Sequence, residues 1–424
     1  MTADVARILV AGYAAFWALY LLLPPLVAAL TKARKRAPAK LEAEGWPKIA
    51  VIVPSRNAEQ VIARSVRSLR ECHYPPEKLA IYVVADYCAD RTAESAMEAG
   101  AAVLIREDGP QGKTYALAWA LFELGNRGCT PDLYVIVDAT VVVDGNFLTA
   151  MAEAWRQGED IISSRPALSP ENRSWYARCL GLMLVHRNLQ CRAREKLGLS
   201  ALLEGRGMAY SRGYIERFGW RLALPRVHGS HPTQDWRHGV RAVGQGYRVA
   251  FAENARLVTP LRGSLAEATQ QGARWERGRL INAGTYAVRL LLLGLWERDP
   301  VKLFAALDAI QPPVAILGGL SVVIAVTGFL GPAVRLLRAG AFIPLSLVCL
   351  YGLCVALRGR RDGIEARIII WGPLYLAWRC ASFVLAWAFV DRIGLGWRST
   401  DAAGRLNRRA PSPASGESTS KPPA

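Results

Sequence analysis

Three aspartates occupy positions where a carboxylate could contact a phosphorylated ligand. Asp86 and Asp138 each follow a run of apolar residues, and Asp235 ends a Thr-Gln-Asp sequence further along the chain. A carboxylate only accepts hydrogen bonds, so it can select a base edge that donates one. It can also bind a hard divalent cation beside a diphosphate. These residues are therefore candidates for the recognition of a phosphorylated ligand.

A second group of candidates lies in the Gln-x-x-Arg-Trp sequence that begins at Gln271. The planar guanidinium of Arg274 matches two oxygens of a diphosphate, and Trp275 offers an aromatic face. Arg277 and Arg279 follow closely, so an amphipathic helix at a membrane surface is an alternative interpretation of the same segment.

The Gly112-Lys113 pair invites comparison with a phosphate-binding loop. The Walker pattern requires a second glycine five residues before this pair, and that position is Glu107. The sequence therefore excludes a Walker loop here.

Alternating apolar strands and helices must position these residues. Strands are predicted over residues 48–54, 79–86, 102–105 and 133–137, and helical spacing lies between them. This alternation predicts a parallel α/β sheet with right-handed crossovers. Ligands of such sheets bind beyond the carboxyl ends of the strands, where Asn57, Asp86 and Asp138 all lie.

The order of these motifs resembles the family-2 inverting glycosyltransferases, in particular the membrane-integrated branch that includes cellulose and hyaluronan synthases. The resemblance covers residues 48–280. It implies a GT-A (Rossmann-like) nucleotide-sugar transferase domain inserted between transmembrane helices, with a UDP-sugar as donor.

The resemblance implies a nucleotide-sugar site made by Asp86, Lys113, Asp138, Gln271 and Arg274. Asp86 would accept the N3–H of uracil, with a helix N-cap as the alternative, and an N-cap role is also open for Asp90. Lys113 would face the diphosphate from a helix start, with a solvated surface lysine as the alternative. Asp138 would bind Mg²⁺ or Mn²⁺.

The acceptor side follows from the same resemblance. Asp235 would be the general base that deprotonates the acceptor hydroxyl, and an exposed turn aspartate is the alternative. Trp275 would be a platform for the acceptor sugar, and Gly207 would belong to a glycine-rich acceptor loop. The acceptor itself would be a glycan or a lipid-linked glycan.

Two family motifs are altered. Thr140 replaces the second aspartate of Asp-x-Asp, so the affinity for the divalent cation is in doubt, and Gln234 replaces the glutamate of Thr-Glu-Asp. These changes motivate a competing hypothesis, a non-catalytic nucleotide-sugar-binding subunit of a polysaccharide assembly complex. His228 and His231 form a His-x-x-His pair, with His238 further along the chain. A zinc site there is not favoured, because no third ligand stands at a spacing typical of zinc sites.

The apolar stretches predict membrane contact. Residues 8–30 are long enough to cross a bilayer, and the basic residues 32–36 that follow indicate the cytoplasmic side. The predicted organisation is an N-terminal transmembrane anchor (1–31), a cytosolic GT-A domain (45–280), an interfacial helix (281–300), a C-terminal transmembrane region (301–392) and a basic to disordered tail (393–424). This pattern predicts a multi-pass protein of a bacterial-type inner membrane.

The net charge indicates which partners the protein binds, and the cysteine spacing indicates the state of its thiols. The formal net charge is +18, and no nucleic-acid-binding motif accompanies it, so we expect an anionic membrane surface and no nucleic acid as partner. A polysaccharide export partner is a further expectation. The 8 cysteines include no Cys-x-x-Cys pair, which indicates reduced packing residues.

Overall fold

The computed structural model describes residues 2–30, 45–169, 174–203, 205–220, 233–259, 264–330, 340–361 and 370–388. The strands are β1 (Ile49–Ser55), β2 (Leu79–Asp86), β3 (Ala102–Arg106), β4 (Leu133–Val137), β5 (Val142–Val143), β6 (Ile161–Leu168), β7 (Gly207–Ser211) and β8 (Val249–Thr259). The helices of the first half are α1 (Thr2–Leu30), α2 (Glu59–Arg70), α3 (Thr92–Glu98), α4 (Lys113–Asn126), α5 (Phe147–Arg156) and α6 (Trp175–Leu197). They are followed by α7 (Arg212–Phe218), α8 (Gln234–Gly244), α9 (Leu265–Trp296), α10 (Pro300–Ile310), α11 (Val314–Leu330), α12 (Ile343–Arg361) and α13 (Gly372–Ala388).

Within the described residues the strands form one 8-stranded sheet with the order β3-β2-β1-β4-β7-β6-β8-β5. The first four strands are mutually parallel, as the alternation of strands and helices predicted. The second half differs, because β7 runs antiparallel to both β4 and β6. Parallel pairing needs a long crossover connection, which the β-α-β alternation supplies in the first half of the domain. In the second half β6 and β8 are also parallel, and a long segment that includes β7 connects them.

Both faces of the sheet are covered, as the apolar composition of β1 requires. Val51 and Val53 point into a core that includes Phe147 of α5, whereas Ala50 and Ile52 point into a core on the other face. Alternate residues of a strand point to opposite faces, so an uninterrupted apolar strand must lie between two layers. This central position fixes the carboxyl ends of β1, β2 and β4 at one edge.

The terminal helices pack against one another and against α6. One face of α1 contributes Trp17 and Leu21 to a core shared with α6, α11 and α12. Tyr20 of α1 donates a hydrogen bond to Asp308 Oδ1 over 2.6 Å, and Arg194 of α6 forms an ion pair with the same oxygen over 2.6 Å. The predicted anchor is thus also a packed part of the helical body.

Among the described residues, one helix, Val5–Leu30, is long and apolar enough to cross a membrane. The pair Pro300–Ile310 and Val314–Phe329, bent by 67°, makes a second crossing if both helices belong to one span. The described parts of α11 and α13 have 17 residues each and that of α12 has 19, fewer than the ~20 that a bilayer core requires. The predicted 393–424 tail lies outside the described residues.

The predicted boundary at residue 280 falls inside a helix. The Gln-x-x-Arg-Trp segment and the Leu-rich residues of the predicted interfacial helix both belong to α9, which is 32 residues long. Ser264 and Glu267 form a capping box at its start, which explains where the helix begins. Because α9 is continuous, the candidate site and the apolar helices are mechanically joined.

Candidate functional site

The candidate site lies at the edge of the sheet where β1, β2 and β4 end. The loops after β1 and β2 are joined, since Asn57 Oδ1 accepts a hydrogen bond from the Ala89 amide over 2.9 Å. Asn57 and Tyr87 have φ angles of 47° and 51°, and Thr233, before α8, has a φ of 73°. These left-handed conformations carry strain in residues other than glycine, and strained backbone clusters at functional sites.

Gly205 is the residue at which three candidate side chains meet. Its carbonyl accepts a hydrogen bond from Lys113 Nζ over 2.6 Å, and its amide donates to Asp235 Oδ2 over 2.5 Å. Lys113 also forms an ion pair with Asp138 Oδ1. Lys113, Asp138 and Asp235, which are distant in sequence, are therefore held in one connected group.

Each of these three side chains keeps a polar group available for a ligand. An ammonium has three donors, and Lys113 uses two of them on Asp138 and Gly205. Asp138 Oδ2 and Asp235 Oδ1 receive no hydrogen bond from the described residues. The Asp138 side chain is 32% exposed and that of Lys113 is 17% exposed, so a ligand can reach both. The surface-lysine alternative for Lys113 does not fit these contacts.

Asp235 lies in the first turn of α8, where backbone N–H groups and the helix dipole stabilise a carboxylate. The turn that precedes it contains the left-handed Thr233. A Cβ atom at Gly205 would lie 2.7 Å from Asp235 Oδ2, so only glycine allows this approach. The exposed-turn alternative for Asp235 is not what the structure shows.

Asp86 has different surroundings from those that we expected. Its side chain is fully buried and forms an ion pair with Arg106, and it accepts a hydrogen bond from the Gly112 amide over 3.3 Å. Arg106 also donates to the Pro110 carbonyl over 2.7 Å. The contacts of Asp86 therefore hold the loop 107–112 and the start of α4 in place, and they leave its role toward a base as a prediction.

Asp90 has the capping role that the sequence left open. It accepts hydrogen bonds from the Glu59 amide at the start of α2 and from the Thr92 amide at the start of α3, both over 3.1 Å. These bonds satisfy amides that a helix start leaves unpaired.

Trp275 lies on α9 and is partly buried. The guanidinium carbon of Arg206 is 5.8 Å from the centroid of its ring, which is a cation–π distance. Gln271 lies one turn earlier on the same helix and is also partly buried. The side chain of Arg274 lies outside the described part of the structure, so its predicted contact with a diphosphate stays a prediction.

The structure gives Gly207 a packing role. It is buried at the first position of β7, and a Cβ there would lie 2.5 Å from Leu257 Cδ2 and 2.7 Å from Ser164 Oγ. These contacts explain the glycine by close packing against β6 and β8. The place of Gly207 in an acceptor loop stays a prediction.

The zinc hypothesis does not fit the histidine that is described. His238 is fully buried, and its Nε2 is 2.8 Å from the Tyr214 hydroxyl. Burial, with Arg241 and Arg237 nearby, lowers the pKa of His238 to about 3, so its ring is neutral. His228 and His231 lie outside the described residues.

The donor set fits a divalent cation that binds together with a diphosphate. No group of three or more His, Cys, Asp or Glu side chains in the described ranges could hold a metal ion. Asp138 offers one carboxylate oxygen beside the partly exposed Thr140. Mg²⁺ is commonly bound by one or two carboxylates with substrate phosphates and water, so these residues could hold a cation once phosphate is present.

Sequence reasoning missed two contributions to this region. The sequence placed Gly205 and Arg206 in the same glycine-rich loop as Gly207 and did not predict that the Gly205 amide contacts Asp235. The contact of α13 with α9 had no sequence signal. Trp378 Nε1 donates to Thr269 Oγ1 over 2.8 Å, and Arg379 forms an ion pair with Glu276 over 3.1 Å.

Known proteins resemble this chain in sequence and in fold. The family model "Glycosyltransferase like family 2" matches residues 47–278, and no curated protein matches. The mannosyltransferase PcManGT from Pyrobaculum calidifontis, solved with GDP-Man and Mn²⁺, is 19% identical with a TM-score of 0.55, over 90% of this chain and 99% of that one.

Two further solved structures are more distant. Glucosyl-3-phosphoglycerate synthase from Mycobacterium tuberculosis is 18% identical with a TM-score of 0.38, over 60% of this chain and 86% of that chain. TarS from S. aureus, solved with UDP-GlcNAc, is 14% identical with a TM-score of 0.38, over 71% and 90% of the two chains. The family match covers more than half of the 424 residues and coincides with the domain that holds Lys113, Asp138 and Asp235. This chain belongs to glycosyltransferase family 2 and is a glycosyltransferase with a GT-A-like α/β fold that uses a nucleotide sugar.

Proposed function

We propose that this chain transfers a hexose from a UDP-sugar to a hydroxyl of a glycan or lipid-linked acceptor, with inversion at the anomeric carbon. The observation that carries the proposal is the junction at Gly205, which places the candidate base Asp235 next to the Lys113–Asp138 pair. A single displacement needs a base on the acceptor side and positive charge on the leaving-group side. The junction supports that arrangement.

The reaction assigns one task to each group. Asp235 accepts the proton of the acceptor hydroxyl as its oxygen bonds to the anomeric carbon and the bond to the nucleoside diphosphate breaks. Asp235 Oδ1 suits this task, because Oδ2 is fixed by the Gly205 amide. Lys113 opposes the charge that develops on the departing diphosphate with its third N–H, and Arg274 is proposed to assist. Charge placed where it develops in the transition state is a major source of rate enhancement.

Asp138 is the proposed ligand of a divalent cation. A bound Mg²⁺ or Mn²⁺ would neutralise part of the diphosphate charge. The ion pair with Lys113 orients the Asp138 carboxylate and leaves Oδ2 for that purpose. Thr140 stands where the family has a second aspartate, so Asp138 is the single carboxylate of this motif. The ammonium of Lys113 beside it supplies positive charge that can also face the diphosphate.

We also propose that the protein acts at a bilayer, in the cellulose and hyaluronan synthase-like branch of the family, with the catalytic domain on the cytosolic side. Large apolar side chains are exposed on α1, α11 and α12, among them Leu9, Phe16, Phe329 and Leu353. Exposed apolar surface of this extent is typical of a membrane-contacting protein. Exopolysaccharide or glycolipid synthesis, with an export partner, is the setting that these proposals favour.

The test replaces the base and measures release of nucleoside diphosphate by the purified full chain across a panel of UDP-sugars and GDP-mannose. Asp235→Asn should lower turnover by roughly 10²–10⁴-fold while the affinity for UDP stays nearly unchanged, because general-base loss affects chemistry. Asp132→Asn is the control, since Asp132 lies at the opposite end of β4 and pairs with Arg212 over 2.9 Å. Wild-type turnover in Asp235→Asn would remove Asp235 from the mechanism. A wild type that binds UDP without turnover with any donor would instead favour the non-catalytic subunit.

A further inference from the structure

Arg206 carries a positive charge in the loop that holds the proposed base, and it forms no ion pair with a carboxylate in the part of the chain that the structure describes. Its guanidinium lies over Trp275, and its Nη1 is buried without a hydrogen-bond partner among the described residues. Asp138 and Asp235 contact the backbone of Arg206 and Gly205, and their carboxylates are bound by Lys113 and by the Gly205 amide. The guanidinium charge is therefore not used within the described structure.

An unpaired buried N–H of a charged group has a free-energy cost, so native proteins rarely keep one without a reason. The Arg206 carbonyl accepts a hydrogen bond from the Asp138 amide over 3.2 Å, which fixes the backbone from which the side chain extends. The stacking on Trp275 orients the guanidinium plane. A ligand that offers oxygens to this plane would remove the cost.

The position of Arg206 indicates which ligand this is. Arg206 follows Gly205, whose amide holds Asp235, so the backbone of Arg206 is one residue from the contact that positions the proposed base. The diphosphate side already has the third N–H of Lys113. Guanidinium groups bind carboxylates and phosphates through two parallel hydrogen bonds.

We propose that Arg206 selects an acceptor that carries an oxyanion, a phosphate or a carboxylate, close to the hydroxyl that receives the sugar. This inference rests on the proposed role of Asp235 and specifies the class of acceptor. Trp275 packs against the apolar face of the acceptor sugar and orients Arg206. The two residues together form a subsite for an anionic sugar.

The experiment measures binding rather than turnover, using glucose 6-phosphate as the anionic probe and glucose as the neutral one. The full chain is titrated in detergent by calorimetry, with UDP at a saturating concentration so that the donor diphosphate position is filled. The wild type should bind glucose 6-phosphate at least about tenfold more tightly than glucose, as expected for a charge-assisted bidentate contact. Arg206→Gln should remove that preference and leave the affinity for UDP unchanged, and Arg206→Lys should restore part of it.

Arg217→Gln is the matched control. The Arg217 guanidinium also lies over an aromatic ring, that of Phe218 at 5.3 Å, but it donates to the Tyr247 hydroxyl and belongs to α7 rather than to the site. It should keep the wild-type preference. An equal loss in both variants, or an unchanged preference in Arg206→Gln, overturns the proposal.

Two other outcomes are informative. If Arg206→Gln weakens UDP as much as glucose 6-phosphate, the guanidinium serves the donor diphosphate and the acceptor proposal is wrong. If the wild type does not bind UDP at all, the proposed function fails. The comparison of Arg206→Gln with Arg217→Gln on glucose 6-phosphate alone still decides the role of Arg206.

Discussion

The substitution Gly205→Ala adds one methyl group, which should displace the proposed base Asp235 without changing its chemical identity. A Cβ at this position would lie 2.7 Å from Asp235 Oδ2, about 0.7 Å closer than the 3.4 Å at which ordinary contact begins. Asp235 Cγ and Cβ would also be too close, at 3.1 and 3.3 Å, so rotation of the carboxylate alone cannot relieve the contact. The carboxylate of Gly205→Ala must therefore move by a large part of 1 Å.

A displacement of this size has a known kinetic consequence. A misplacement of about 1 Å of a reacting group can reduce turnover by ~10²-fold, which corresponds to ~2.7 kcal/mol in activation free energy. The hydrogen bond from the Gly205 amide to Asp235 would be lost or lengthened in the same step. We expect kcat to fall by this amount, while the affinity for UDP changes little because the methyl group faces the base.

The assay compares kcat and the dissociation constant of UDP for Gly205→Ala and Gly213→Ala. Gly213 lies in α7, and a Cβ there would meet nothing within 4 Å, so this control should behave as wild type. An unchanged kcat in folded Gly205→Ala would refute the assignment of Asp235 as a precisely positioned base. An equal fall in both variants would point to a general loss of folding.

Three further predictions follow from the altered motif, the basic cluster and the buried histidine. Thr140→Asp should raise the affinity for Mn²⁺ in the presence of UDP by about an order of magnitude, and Asp138→Ala should abolish Mn²⁺ binding, both measured by electron paramagnetic resonance. The reason is that the affinity for a hard cation rises with the number of anionic oxygens around it. Unchanged Mn²⁺ affinity in both variants, together with a reaction rate that is insensitive to chelation, would mean that the site does not use a metal. A reporter fused after Arg361 should be cytoplasmic, because the basic cluster 358–361 resists translocation, and a periplasmic signal would require another count of spans. The pKa of His238 is lowered from 6.5 to about 3, so the folded protein favours the neutral imidazole. The resulting contribution to the free energy of unfolding is complete above pH 6.5 and is lost as the pH falls toward 3. The loss amounts to at most about 1.4 kcal/mol per pH unit. Melting temperatures should therefore fall less steeply over this range in His238→Gln than in the wild type, and identical slopes would contradict the assignment.

Much of the catalytic domain was predictable because its signals are local. The strands 79–86 and 133–137 have the bounds predicted for them, since each is a mostly apolar run with an aspartate at its carboxyl end, Asp86 as the last strand residue and Asp138 as the first residue after the strand. The parallel half of the sheet followed from the alternation of strands and helices. The antiparallel β7 was not predictable from alternation, because pairing direction depends on where the chain returns to the sheet.

The types of the site residues and their order can be read from the amino-acid sequence, because Asp138, Asp235 and the Gln-x-x-Arg-Trp segment form recognisable motifs. What those residues contact depends on the three-dimensional fold. In the fold, Lys113 and Asp235 both bind Gly205, and Lys113 pairs with Asp138. Asp86 forms a buried ion pair with Arg106. The physical reason is that a motif specifies a side chain and its local backbone, whereas ion pairing and burial depend on residues that folding brings from elsewhere in the chain.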